Sequence, residues 1–260
     1  MSTARQAASR RDPAYPIGSV GNALRILLMF RDASAVRVAD IARELGIARS
    51  TSHRVLAVLQ HFEFIVQDKE TRAYVRGPAL VDVGLAALDH LAVRRAAHIP
   101  IRMLRDEIGE TVEVCVLDGP MAVVVDVAEG LMPLRVVDTL GDRVSSHLSA
   151  AGKAMLAALP EDEVLRLFPT AELERVTESS IGARDKLVEE LAQIRTLGYA
   201  TTVGEAGYEF VGAAAAIVDE VGGLCGAVTV ALPRSRASAD FAVVLGPQVE
   251  RTARAVGAML

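Results

Sequence analysis

Apolar and polar positions recur mainly at helical spacing through the first third of this chain, and apolar strand-like runs and helical spacings are interspersed beyond it. Between residues 36 and 76 the pattern predicts a helix-turn-helix followed by a short hairpin. Val38, Ile41, Ala42 and Leu45 recur at i, i+3, i+4 and i+7, and Gly46 supplies the turn. The next helix, Arg49–Phe62, divides into two arcs at about 100° per residue. Arg49, Ser50, His53, Arg54, Ala57, Gln60 and His61 fall on one, and Thr51, Ser52, Val55, Leu56, Val58, Leu59 and Phe62 on the other. A helix that buries one arc and presents arginines, histidines and small hydroxyls on the other is shaped to read a DNA groove.

The flanks follow the same logic. Met1–Pro16, rich in Arg, Ala and Ser, is expected to be a mobile arm. Ser19 suits the N-cap of a core helix Val20–Phe30, with Ala23, Leu24, Leu27 and Leu28 at helical spacing. Glu63–Arg76 turns at Asp68-Lys-Glu-Thr71 and returns through Tyr74 and Val75, a wing-like hairpin. After Gly77, Pro78 suits a helix start, and Leu80, Gly84, Ala87, Leu88 and Leu91 form a stripe on a linker helix, Ala79–Val93, suited to pairing with a partner subunit. Pro100 suggests a further boundary before a helix at Ile101–Ile108. The domain boundaries expected are an arm over 1–16, a winged helix-turn-helix over 17–77, a linker helix over 78–95 and a second domain over 96–260.

That second domain reads as α+β. Strands are expected at Thr111–Leu117, Met121–Ala128, Leu134–Val137, Tyr199–Val203, Val211–Val218 and Leu224–Leu232. Helices are expected at Ser149–Leu159, Asp162–Phe168, Ala183–Leu197 and from about Asp240 to Val256. Strands without crossover helices between them imply an antiparallel sheet with helices packed on it.

Charge by segment changes the picture that the total conveys. The 260 residues, 51% apolar, carry a net charge of −5, which argues against a nucleic-acid partner. Residues 1–76, however, hold 12 Lys and Arg against 7 Asp and Glu, while residues 77–260 hold 16 against 26. A basic head on an acidic body fits a phosphate-binding module joined to a domain that does not touch DNA. No long uncharged apolar run or signal-peptide core is present, so a cytoplasmic location without a membrane partner is expected. Cys115 and Cys225 sit in strand-like apolar runs, which favours buried thiols over a disulfide or a zinc site.

The order of elements, with Ser149-Ala-Ala-Gly-Lys-Ala154, the Gly198-Tyr199 to Glu205 stretch and a strand pair ending at Leu232-Pro233, resembles the IclR family of bacterial transcriptional regulators from about Val20 to Val256. The resemblance implies a GAF-like C-terminal effector-binding domain, a homodimer or dimer of dimers, and control of operator binding by a small molecule. It assigns DNA contact to Arg49, Ser50, Thr51, His53 and Arg54 near the N-terminal end of the recognition helix, and to Lys69, Thr71 and Arg72 at the wing tip. For the effector it assigns His147, Ser149 and Gly152 at a helix end whose backbone N–H groups can bind an anion, and Thr202, Gly212, Thr229 and Ala231 across the pocket.

Relatives that take small oxoacids often carry Cys or Ser at the positions of Gly212 and Ala231. Their replacement here points to a larger or more apolar ligand such as an aromatic carboxylate. Gly152-Lys153 lacks the preceding glycine and following hydroxyl of a phosphate loop, so no nucleotide cofactor is expected. Lys153 reads as a surface or subunit contact, and Glu205 either orients the pocket or bridges nearby backbone. The contrasting class is a metabolic enzyme with an accessory DNA-binding domain, built on Cys115 and His147, but Cys115 lies mid-strand without an activating context.

Overall fold

The computed structural model describes residues 17–31, 33–207 and 209–260; the arm expected over 1–16 lies outside them. The chain divides into two compact units between Ala87 and Leu88.

The first unit runs α1 (Gly18–Met29), β1 (Ala35–Val36), α2 (Val38–Leu45), α3 (Arg49–His61), β2 (Ile65–Gln67), β3 (Tyr74–Arg76) and α4 (Pro78–Asp89), the last crossing the division. Gly46 takes the left-handed conformation (φ 63°) that ends α2 and opens the turn into α3. The hairpin β2–β3 gains a third antiparallel strand, since Ala35 and Val36 pair with Val75 and Tyr74. Ile26, Phe30, Ile41, Leu56 and Ile65 fill the core. Ser19 is not the cap of α1: the helix begins at Gly18, so Ser19 lies within it. Leu24 and Leu28, expected in the core, are instead exposed, because Ile26 and Phe30 take the inward direction. α4 ends at Asp89, short of the linker helix expected to reach Val93, and buries none of its side chains.

The second unit continues with α5 (Ala92–Ile108), β4 (Thr111–Asp118), β5 (Met121–Ala128), β6 (Arg143–Ser145), α6 (Ala150–Ala157), α7 (Glu161–Leu167), α8 (Arg184–Leu197), β7 (Ala200–Val203), β8 (Phe210–Val218), β9 (Leu224–Pro233) and α9 (Phe241–Gly257). Its antiparallel sheet has the order β6-β5-β4-β9-β8-β7. Pro100 does not break α5 as expected. Ala97, Ile101 and Leu104 pack on the sheet, and this burial offsets the one missing helical hydrogen bond. Leu134–Val137, expected as a strand, forms none; the edge strand is β6, paired to β5 through Ala122 and Val144.

α5 and α9 cover one sheet face and α6 and α8 the other. Because strand side chains alternate between faces, the register decides what meets beneath α6. Glu113 stands opposite Thr229, Thr202 opposite Gly212, and Gly212 opposite Ala231. These five positions share the α6 face, brought together from four strands.

Candidate functional site

The outer face of α3 is free for contact. Ser52, Val55, Leu56 and Leu59 point into the head, whereas Arg49, Ser50, His53 and Arg54 are exposed. None of these four makes a side-chain hydrogen bond or ion pair among the described residues. Thr51, Val58 and Phe62 depart from the two-arc division: all three are exposed, so the buried stripe is narrower than apolarity implies. For Thr51 the exposure removes the conflict between its inward arc and its assignment to DNA.

At the wing, Asp68 organises the turn. Its Oδ1 accepts hydrogen bonds from the Thr71 amide and the Thr71 hydroxyl, both at 2.7 Å, and from the Glu70 amide at 3.1 Å. These bonds, the Thr71 amide first, hold the Asp68 carboxyl below the usual carboxylate range. The contribution to the turn is therefore complete at neutral pH and fades only as pH falls through that lowered value. The Thr71 hydroxyl donates within the wing. Lys69 and Arg72 stay exposed, Arg72 in a left-handed conformation (φ 58°).

In the second unit, a cavity of about 330 Å³ lies between α6 and the sheet. Ser149, Thr202, Gly212, Thr229 and Ala231 line it, as do Ala150 and Ala151 from the first turn of α6. Ser149 caps that helix by accepting from the Gly152 amide at 3.0 Å. The N–H groups of a helix's first turn have no intrahelical acceptor, so those at Ala150 and Ala151 offer an anion site. A Cβ at Gly212 would lie 3.2 Å from the Val230 carbonyl oxygen and in ordinary contact with Thr202 Cγ2 at 3.4 Å and Ala150 Cβ at 3.7 Å, so the glycine leaves that space to the cavity.

His147 and Gly152 do not line the cavity. The His147 ring is spanned by Ser145 Oγ at 2.7 Å from Nδ1 and the Glu174 carbonyl at 2.8 Å from Nε2. Burial lowers its pKa, which favours a neutral ring that accepts from Ser145 and donates to Glu174. Gly152 packs on Ser146, where a Cβ would fall 2.2 Å from the carbonyl oxygen.

Lys153, expected at a surface, is fully buried. Its Nζ donates to Glu190 Oε1 at 2.6 Å and to Glu205 Oε1 and Oε2 at 2.7 and 2.9 Å. Two carboxylates supply the compensation that a buried ammonium needs. Burial raises the Glu205 pKa, and the Lys153 charge opposes the shift. The triad ties α6 to α8 and to the segment after β7. There the Ser180 hydroxyl donates to the Glu205 carbonyl at 2.7 Å and Ala206 joins the cavity wall.

Sequence reasoning did not find Glu113, Asp138 and Asp142, which also line the cavity. Glu113 is only 4% exposed. Burial first, then a hydrogen bond with Asp138 and the charges of Asp138 and Asp142, pushes its carboxyl well above the usual range. One Glu113 oxygen and the Thr229 hydroxyl are buried without a hydrogen-bond partner, and the Thr202 hydroxyl, beside Glu205, makes no well-directed bond. Such groups are costly to bury unpaired and mark where a ligand would be satisfied. Cys115 lines the same wall, with a thiol that burial pushes well up, and Cys225 is half-buried; neither is in a disulfide. A depression of about 570 Å³ near Leu117, Arg166 and Cys225 is larger but collects no unpartnered buried polar group.

Comparison with known proteins matches both units. Residues 19–69 match the IclR helix-turn-helix domain, and residues 85–258 match the bacterial transcriptional regulator IclR C-terminal domain. The chain is 33% identical over 223 residues to the HTH-type transcriptional repressor AllR of Escherichia coli K12, covering 86% of this chain and 82% of the repressor. A crystal structure of a transcriptional regulator from Rhodococcus sp. RHA1 superposes with a TM-score of 0.81 at 25% identity, covering 94% of this chain and 98% of that one. An IclR homologue from Microbacterium hydrocarbonoxydans, crystallised with 4-hydroxybenzoate, shares the fold at a TM-score of 0.79 and 19% identity, covering 94% and 99%. No helix among the described residues is long and apolar enough to cross a membrane. With a helix-turn-helix head and a sheet domain that both match, this chain belongs to the IclR family of bacterial transcriptional regulators.

Proposed function

We propose that this chain is a ligand-responsive regulator that binds a pseudo-palindromic operator as a homodimer or dimer of dimers, its affinity set by a small organic acid in the cavity beneath α6. The observation that carries the reading is the outer face of α3. Its arginines, histidine and hydroxyls are exposed while the opposite face forms the core of a basic head. Arg49 and Arg54 suit bidentate donation to guanine, Ser50, Thr51 and His53 suit base edges or phosphates, and Lys69 and Arg72 suit the flanking backbone. Thr71 acts one step back, by shaping the wing.

Exposed apolar side chains support self-association. Val20, Leu24 and Leu28 on α1 and Val81 and Leu85 on α4 lie open within one chain. The cavity supports an acid effector of monocyclic size: about 330 Å³ sits at the small end of ligand sites, and the α6 N-terminus accommodates a carboxylate. A relative that takes 4-hydroxybenzoate is in keeping with that size. The enzyme alternative finds little support at this site. The Cys115 thiol is held protonated and both His147 nitrogens are engaged within the fold, so neither is poised as nucleophile or base.

Footprinting on the DNA that flanks the chain's own gene tests the operator reading. The expected result is protection of a twofold-symmetric site whose half-sites lie about 10 base pairs apart, or a multiple of that. Sequence-independent coating of the same fragment would contradict it.

A further inference from the structure

The effector cavity gathers three carboxyls with little to balance them. Glu113 comes from β4, and Asp138 and Asp142 from the segment before β6. Among the residues lining the cavity, Arg143 is the single cation; its Nη2 pairs with Asp118, and its Nε is buried without a partner. Asp142 accepts from the Thr139 amide at 2.7 Å. A second observation is independent of charge: Thr229 stands opposite Glu113 in register, is 7% exposed, and its hydroxyl has no partner, like Glu113 Oε1 beside it. The buried Glu113 oxygen requires a donor, and the Thr229 hydroxyl can accept from the same group.

We infer that the effector carries a cationic amino group, received within this cavity by the carboxyls of Glu113, Asp138 and Asp142 and by the Thr229 hydroxyl. The inference rests on the cavity being the effector site. An ammonium offers three N–H donors, enough for the free Glu113 oxygen, Asp138 and the Thr229 lone pair together. An anionic group in the same place would face the charges of Asp138 and Asp142, and an apolar one would leave every orphaned acceptor unpaired. A carboxylate elsewhere on the molecule would meet the N–H groups at Ala150 and Ala151, so the class is a compact amino acid-like zwitterion.

Proton balance follows. Burial and the neighbouring acids keep a proton on Glu113 in the free protein. Entry of R–NH₃⁺ favours the ionised carboxylate, so the Glu113 proton passes to solvent while the ammonium keeps its own. Affinity for the cation therefore rises as pH rises toward the elevated Glu113 value. The other groups facing Glu113 are Asp138, Asp142, Arg143 and the Cys115 thiol, itself pushed up and neutral in this range.

Calorimetry on the full chain with 4-(aminomethyl)benzoate and 4-methylbenzoate, which differ by one ammonium, tests this. The aminomethyl compound is expected to bind roughly tenfold tighter or better, with a preference larger at pH 8 than at pH 6.5. Glu113→Gln should bring the two within about twofold of each other at both pH values, and Thr229→Val should narrow the gap partway. Melting curves would verify that each variant is folded. Equal or tighter binding of 4-methylbenzoate overturns the inference and leaves the cavity an acid sensor. If neither probe binds, a thermal-shift panel of acids, amines and zwitterions decides. Stabilisation only by compounds with a cationic nitrogen supports the inference, and stabilisation by compounds lacking one overturns it. No stabilisation by any compound removes the effector-cavity reading and this inference with it.

Discussion

Arg54→Ala is expected to weaken operator binding about 5- to 150-fold at each half-site, the equivalent of the roughly 1–3 kcal/mol that a bidentate arginine–guanine pair supplies. Arg54 is exposed on α3, and its side chain has no hydrogen-bond partner among the described residues. Its removal therefore takes nothing from the core built on Val55, Leu56 and Leu59. Melting temperature and effector affinity should be unchanged, and discrimination at one base position should relax. Lys69→Ala offers the contrast: without that ammonium beside a phosphate, binding should weaken for all sequences alike and the salt slope should fall by about one. A matching fall in stability or effector affinity for Arg54→Ala would mean that the residue supports the fold.

The second large effect is at Lys153. Lys153→Met leaves Glu205, 12% exposed, and Glu190, 35% exposed, facing each other without their cation. Breaking a buried pair from one side costs about 3–5 kcal/mol, so the second unit should melt on the order of 10 °C lower. Neutralising both partners as well, in Lys153→Met with Glu190→Gln and Glu205→Gln, should recover much of the stability, because no uncompensated charge then remains. Calorimetric melting of the single and triple variants separates the outcomes. A single variant as stable as the parent would show that the triad is not a structural tie. Since the triad anchors the segment carrying Ala206, the single variant should also bind effector less tightly.

The legible parts of the fold are those with a clear local pattern. α2 and α3 announce themselves by helical spacing and the long strands β8 and β9 by nearly unbroken apolar runs, and Gly46 and Gly198 close their helices in the left-handed conformation at the expected positions. β1 is not legible, since two residues carry no period and its existence depends on a tertiary partner, β3. Pro100 misleads because its local cost is outweighed by packing that only the sheet supplies. Thr51 misleads because a helical wheel has no way to assign a small hydroxyl to a face.

At the site, Thr202, Gly212, Thr229 and Ala231 come together by strand register and Ser149 by capping α6, an arrangement that a family resemblance transmits. His147 and Gly152, adjacent in sequence to the cavity, hold the turn that precedes α6. The acids are invisible as a group because Glu113 is some 25 residues from Asp138. A readable sign exists in the strand itself: Glu113 sits between Val112 and Val114 in a run that is buried on both faces. A carboxyl there needs a reason, and the cavity provides one.

Anisotropy of the full chain on its footprinted operator, titrated with the compound that most stabilises the protein to heat, tests the central claim most directly. Coupling between the two sites of about 1–3 kcal/mol predicts a roughly 5- to 150-fold change in operator affinity at saturating compound, abolished when Thr229→Val and Glu113→Gln remove the groups that hold it. An operator affinity unmoved by a compound that demonstrably occupies the cavity would contradict the account.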